Sequence, residues 1–168
     1  MYKKYISLLM FSLLIFGCSQ KYNEYAKPTD ILREQALTLT QNVIIKKEKI
    51  VRAFIGVTYI NKINHELIEN EENIEKFIVS VHIPSDQNKK LYDNVSFNVN
   101  GKKTDSITLL SSEDKLLKIL PASIKWNKYF LVKSPKDEKK RGISFEVSVG
   151  EYKSPKINFS DSYGNLPY

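Results

Sequence analysis

The sequence of 168 residues contains one cysteine, two histidines and six glycines. A lone cysteine excludes a disulfide within the chain and every cysteine-rich metal module. Two histidines leave little material for a histidine-based metal site. Six glycines are too few for phosphate-cradling loops, and no Gly-x-Ser-x-Gly elbow, His-Glu-x-x-His, P-loop or Gly-x-Gly-x-x-Gly run occurs. Arginine is also scarce: Arg33, Arg52 and Arg141 stand against 23 lysines, so the formal charge of +7 is carried by lysine. Direct base reading leans on the planar guanidinium fork, and the composition therefore speaks against a nucleic-acid partner. The 18 Ile and 13 Asn that accompany the lysines are the bias of an AT-rich coding sequence, which accounts for part of the charge without an anionic partner.

What is present is a globular composition, 42% hydrophobic and 27% charged, of a length that suits one domain. The N-terminus differs from the rest. Lys3 and Lys4 precede an apolar run, Tyr5 to Phe16, broken only by Ser7 and Ser12. Twelve residues are too few to span a bilayer, which needs about 20 at 1.5 Å each, but they suit the apolar region of a secretory signal.

The residues that follow, Ile15-Phe16-Gly17-Cys18, resemble the lipobox of bacterial lipoproteins: an aliphatic residue, a small one, Gly or Ala, then Cys. Phe16 stands where Ala or Ser is usual. The resemblance implies cleavage between Gly17 and Cys18 and acylation of Cys18. The alternative is a buried or spare thiol after an ordinary signal peptide or an uncleaved anchor. Ser19, where Asp would signal inner-membrane retention in Gram-negative lipoproteins, implies an outer-membrane location facing the periplasm. One acyl chain binds membranes only marginally, whereas two or three hold a protein durably.

The chain is thus read as a signal peptide (residues 1–17), a lipidated N-terminus and tether (18–29), one β-rich domain (30–160) and a frayed C-terminal tail (161–168). Within the domain, Thr29 or Asp30 caps a helix over residues 31–39. Val43 to Ile45 and Ile50 to Ile60 are strands around the charged turn Lys46 to Lys49. The second is apolar on both faces, which predicts the central strand, and Gly56 within it predicts a bulge or a close approach. Residues 61–76 read as a loop with one or two helical turns. Phe77, Val79 and Val81 alternate with Ile78, Ser80 and His82, and Val95, Phe97 and Val99 lead into the Asn100-Gly101 hairpin signal. Thr104 to Leu110 is expected to return beside that strand. Ser112-Glu113-Asp114-Lys115 opens a short helical stretch with Leu116, Leu117, Ile119 and Leu120, stopped by Pro121. Trp126 and Tyr129 to Val132 form the next strand, Ile143 to Val149 another, and Tyr152 to Ser160 a weak one. This spacing predicts an antiparallel β-sandwich, immunoglobulin-like in architecture.

Candidate chemistry is thin. His82 could serve as a general base, but its strand parity places it beside Ser80 on a solvent face. His65 lies in the Asn/Glu-rich loop. Glu69, Glu71, Glu72 and Glu75 cluster without calcium-loop spacing and read as solvated surface. Lys136 to Arg141 could touch anionic lipid, or simply guard a hairpin tip. No catalytic residue, cofactor or metal is assigned. The expected function is a lipid-anchored, non-enzymatic envelope protein that binds a protein or envelope component, in general resemblance to small lipoproteins of Gram-negative bacteria. The alternatives are a carrier or sensor of an apolar ligand in a cavity between the sheets, and an envelope hydrolase.

Overall fold

In strands, alternate side chains point to opposite faces, so an apolar residue at every second position makes a sheet with one face to bury. The computed structural model describes residues 28–84, 89–104, 106–139 and 142–160, and places ten strands from these segments in two antiparallel sheets. The expected signal peptide, most of the expected tether and the expected tail at 161–168 lie outside the described residues. The described residues from Leu32 onward form one compact unit.

The first sheet contains β1 (Thr40–Lys47), β2 (Ile50–Tyr59), β3 (Ile74–His82), β6 (Ser106–Leu110) and β7 (Lys128–Pro135), in the order β1-β2-β3-β7-β6. The second runs β10-β8-β4-β5, from β10 (Ile157–Phe159), β8 (Ile143–Val149), β4 (Val95–Val99) and β5 (Lys102–Lys103), with β9 (Tyr152–Lys153) also paired to β8. Helix α1 (Pro28–Thr38) precedes β1, α2 (Lys89–Tyr92) precedes β4, and a 3₁₀ turn spans Lys115–Ile119.

Between the sheets lies a core from β2 (Ala53, Ile55, Val57, Tyr59), β3 (Phe77, Val79, Val81), β4 (Phe97, Val99), β7 (Phe130, Val132) and β8 (Ile143, Phe145, Val147, Val149). The Phe77 and Phe145 rings meet at 4.6 Å across the sheets, and Phe97 lies 5.5 Å from Phe130. Tilted aromatic pairs at such distances contribute beyond the area they bury. The sandwich expected from the alternation is present.

Several local expectations are corrected. β3, not β2, is the middle strand of the first sheet and is buried on both faces for most of its length. The β1–β2 ladder slips between Ile45 and Lys46, so the bulge falls at Arg52 rather than at Gly56. Residues 61–73 form turns without helix, yet Ile63 is buried in them. Asn100 and Gly101 take the positive φ of a tight turn (55° and 81°), and β5 pairs back onto β4. The chain then leaves that sheet, and β6 pairs with β7 in the other. Helix α1 includes Thr29 and Asp30 and begins at Pro28, a residue suited to a first turn because its missing N–H would have no partner there. Among the described residues no helix is long and apolar enough to cross a membrane.

Candidate functional site: an apolar groove on the outer sheet face

The outer face of the first sheet carries a second apolar cluster, which covers only one end of it. Ala36 and Leu39 at the end of α1, Ile60 and Ile63 after β2, Leu110, and Leu117, Ile119 and Leu120 of the 3₁₀ segment pack over Ile78 and Tyr129. Thr40 Oγ1 donates to the Ala36 carbonyl (2.6 Å) and meets Thr58 Oγ1 at 2.8 Å, tying α1 to the sheet. The Tyr129 hydroxyl accepts from the Ile124 N–H and donates to the Ile124 carbonyl at 3.3 Å. That hydroxyl pins the loop after the 3₁₀ turn against β7.

Where this cover ends, the sheet is open. A groove of about 780 Å³ has a floor of Ile44, Phe54, Gly56, Ser80 and His82, with Leu37 on one side and the 120–126 segment on the other. Leu37 is 59% exposed, Phe54 43%, Ile124 51% and Trp126 74%. Among the described residues no Asp, Glu, Lys or Arg lines the groove. Gly56 makes the floor flat: a Cβ there would stand 2.7 Å from Ser80 Oγ and 3.0 Å from Asn42 Oδ1.

His82 sits on this outer face with Ser80, as the alternation predicts, but it is half-buried beside the Phe54 ring at 6.0 Å rather than open to solvent. Its Nδ1 is buried without a hydrogen-bond partner. Among the described residues no carboxylate lines the groove to orient its imidazole as in a catalytic triad.

The remaining candidates are dispersed. His65 Nδ1 accepts from the Leu67 N–H within its own turn. Of the glutamates, Glu71 Oε1 bridges Lys76 Nζ (2.6 Å) and Lys133 Nζ (2.8 Å), and these cations hold its carboxyl below the usual carboxylate range, Lys133 foremost. Glu75 is buried, contrary to the expectation of solvated surface, and accepts from the Tyr59 hydroxyl at 2.6 Å. Glu71 thus ties the loop 61–73 to β3 and β7, whereas Glu75 joins β3 to β2. Among the described residues no group of three or more His, Cys, Asp or Glu could hold a metal ion. Lys136 to Lys139 is a turn after β7, while Lys140 and Arg141 lie outside the described residues, as do Gly17 and Cys18.

The space between the sheets, where an apolar ligand could have been carried, is filled by Phe77, Phe97 and Phe145, all fully buried. A second concavity of about 760 Å³ lies on the outer face of the other sheet. Its polar side chains engage one another: Asn98 donates to Glu146, and Asn100 Oδ1 accepts from the Ser144 N–H. Sequence reasoning missed the apolar groove, although Phe54 and Trp126, apolar residues on faces without an obvious partner, were its signal. No family model, curated protein or solved structure matches the chain.

Proposed function

We propose that the protein is a lipid-anchored, non-enzymatic binding module of the cell envelope, held at the outer membrane through Cys18 and facing the periplasm. Its binding surface is the groove on the outer face of the first sheet. The observation that carries the binding reading is the exposure of Leu37, Phe54, Ile124 and Trp126 around one concave surface that, among the described residues, no Asp, Glu, Lys or Arg lines. Contiguous exposed apolar surface of this kind marks interaction sites in soluble domains. The anchor reading rests on the Ile15-Phe16-Gly17-Cys18 sequence.

Two measurements test the two halves. Cys18→Ala should abolish incorporation of labelled palmitate and release the protein from membranes; unchanged labelling refutes the anchor. Photo-crosslinkers placed at Leu37 or Ile124 in cells should give discrete adducts that a crosslinker at Asn98, on the opposite sheet, does not give. Equal adducts from both faces would refute the groove as the binding surface.

A further inference from the structure

We propose that the open edge of β1 pairs antiparallel with the β1 edge of a second copy of this chain, joining two first sheets into one. The inference goes beyond the anchored-module reading and does not rest on it, since neither acylation of Cys18 nor an occupant of the groove enters it.

The edge itself is the first observation. Among the described residues β1 pairs with β2 alone, and the backbone groups that Gln41 to Ile45 turn away from β2 meet no hydrogen-bond partner. N–H and C=O groups alternating at strand spacing are matched by another extended polypeptide. Proteins usually guard such an edge with a charge, a proline or a bulge. On β1 these devices stand only at the hairpin end, where the ladder slips between Ile45 and Lys46 and Lys47 follows. Thr40 to Ile45 carries no charge and no proline.

The second is the apolar row that ends at this edge. On the outer face His82, Phe54 and Ile44 lie in one register across β3, β2 and β1. Ile44 is 42% exposed and Phe54 43%. Continuing the sheet sets a further side chain beside Ile44, and apolar pairs across strands are a main source of sheet stability.

The third is the charge distribution along the strand, which selects a second copy as the occupant. Thr40-Gln41-Asn42 is uncharged and Lys46-Lys47 is cationic, with Lys47 paired to Glu151 at 3.4 Å. A two-fold axis normal to the sheet sets two identical strands antiparallel with like faces together. Side-chain alternation then requires even-numbered residues opposite even-numbered ones. Centred on Ile44, that register places Ile44 against Ile44 of the second copy, Val43 against Ile45, and Asn42 against Lys46. Apolar meets apolar, each Lys46 meets an amide, and no two lysines face each other. One patch thus supplies both halves of the contact.

The test uses the full chain as purified from cells, in density-matched detergent. Sedimentation equilibrium should give twice the monomer mass, with a concentration-dependent return to the monomer. Asn42→Asp sets a carboxylate against Lys46 of the second copy and should tighten the dimer about fivefold, whereas Asn42→Lys should weaken it about as much. Asn42 is exposed, so neither substitution disturbs the core. Ile44→Cys should give a disulfide-linked dimer above the level of the unaltered chain, because facing Cα atoms in an antiparallel pair lie within disulfide range. Thr108→Cys, exposed on the opposite edge strand β6, should not.

A monomer at every concentration overturns the proposal. So does a dimer indifferent to residue 42, or one weakened by both substitutions there, because another surface or register then joins the copies. Equal linkage from Thr108→Cys would mark random collision and overturn the pairing. Disulfide adducts of Ile44→Cys with a different protein, in place of the self-dimer, would show that the edge serves another partner and overturn it too.

Discussion

Gly56 and Ser80 face each other across the β2–β3 ladder so closely that a Cβ on Gly56 would lie 2.7 Å from the Ser80 Oγ. The missing side chain is what lets the groove floor lie flat between Phe54 and Thr58. Gly56→Ala should destabilise the domain by about 1 kcal/mol, the order expected of mild overpacking. Adding Ser80→Ala should recover part of that loss. The non-additivity, read from urea midpoints of both single variants and the double variant, is the diagnostic quantity.

Phe77 and Phe54 test the difference between the two faces of one sheet. Phe77 is fully buried against Phe145, Tyr59 and Phe159, whereas Phe54 stands 43% exposed in the groove. Phe77→Ala should cost about 3–5 kcal/mol, in the range of buried aromatic truncations. Phe54→Ala should cost less than about 1 kcal/mol, because much of its ring is already in water. Comparable losses from equilibrium unfolding would mean that the groove is part of the structural core.

The hydrogen bond from Tyr59 to Glu75 spans neighbouring strands at the buried end of the sandwich. Removing the hydroxyl strips a hydrogen bond from a buried carboxyl, so Tyr59→Phe should cost about 1–3 kcal/mol. Glu75→Gln keeps an acceptor for the hydroxyl and should cost less. The reverse ranking in denaturant melts would show that the hydroxyl is not what satisfies Glu75.

Glu71 makes stability depend on acid. The Lys133 and Lys76 ammonium groups hold its carboxyl below the usual carboxylate range in the folded chain. On lowering the pH the unfolded chain therefore takes up the proton first. The contribution is complete above the ordinary carboxylate pKa and disappears as pH falls through the depressed folded value. Glu71→Gln should flatten that part of the pH dependence and lower stability at neutral pH, since Lys76 is buried and loses its carboxylate partner. Urea midpoints across an acidic pH series measure both effects, and parallel curves for the two proteins would exclude this role.

Much of the fold was legible because strand faces are decided locally. Phe77, Val79 and Val81, and Ile143 to Val149, declare their buried side by alternation alone, and Asn100-Gly101 declares its turn because those residues accept positive φ. The crossing of β6 to the other sheet was not legible, because which strand edge accepts Ser106 to Leu110 depends on partners far along the chain. The burial of Glu75 and Lys76 was hidden for a similar reason. Polar residues at the head of a strand look solvated until the Tyr59 hydroxyl and the Glu71 carboxylate are brought to them.

The division for the groove follows the same physics. Residue type and spacing by themselves determined that Phe54, Ser80 and His82 share the face opposite the core. The tertiary structure decided how far α1 and the 3₁₀ segment extend over that face, and hence which apolar residues are left in water. Burial is a property of neighbours distant in sequence, so an exposed Phe54 and a buried Ile78, on the same face of adjacent strands, could be told apart only once the layers were packed.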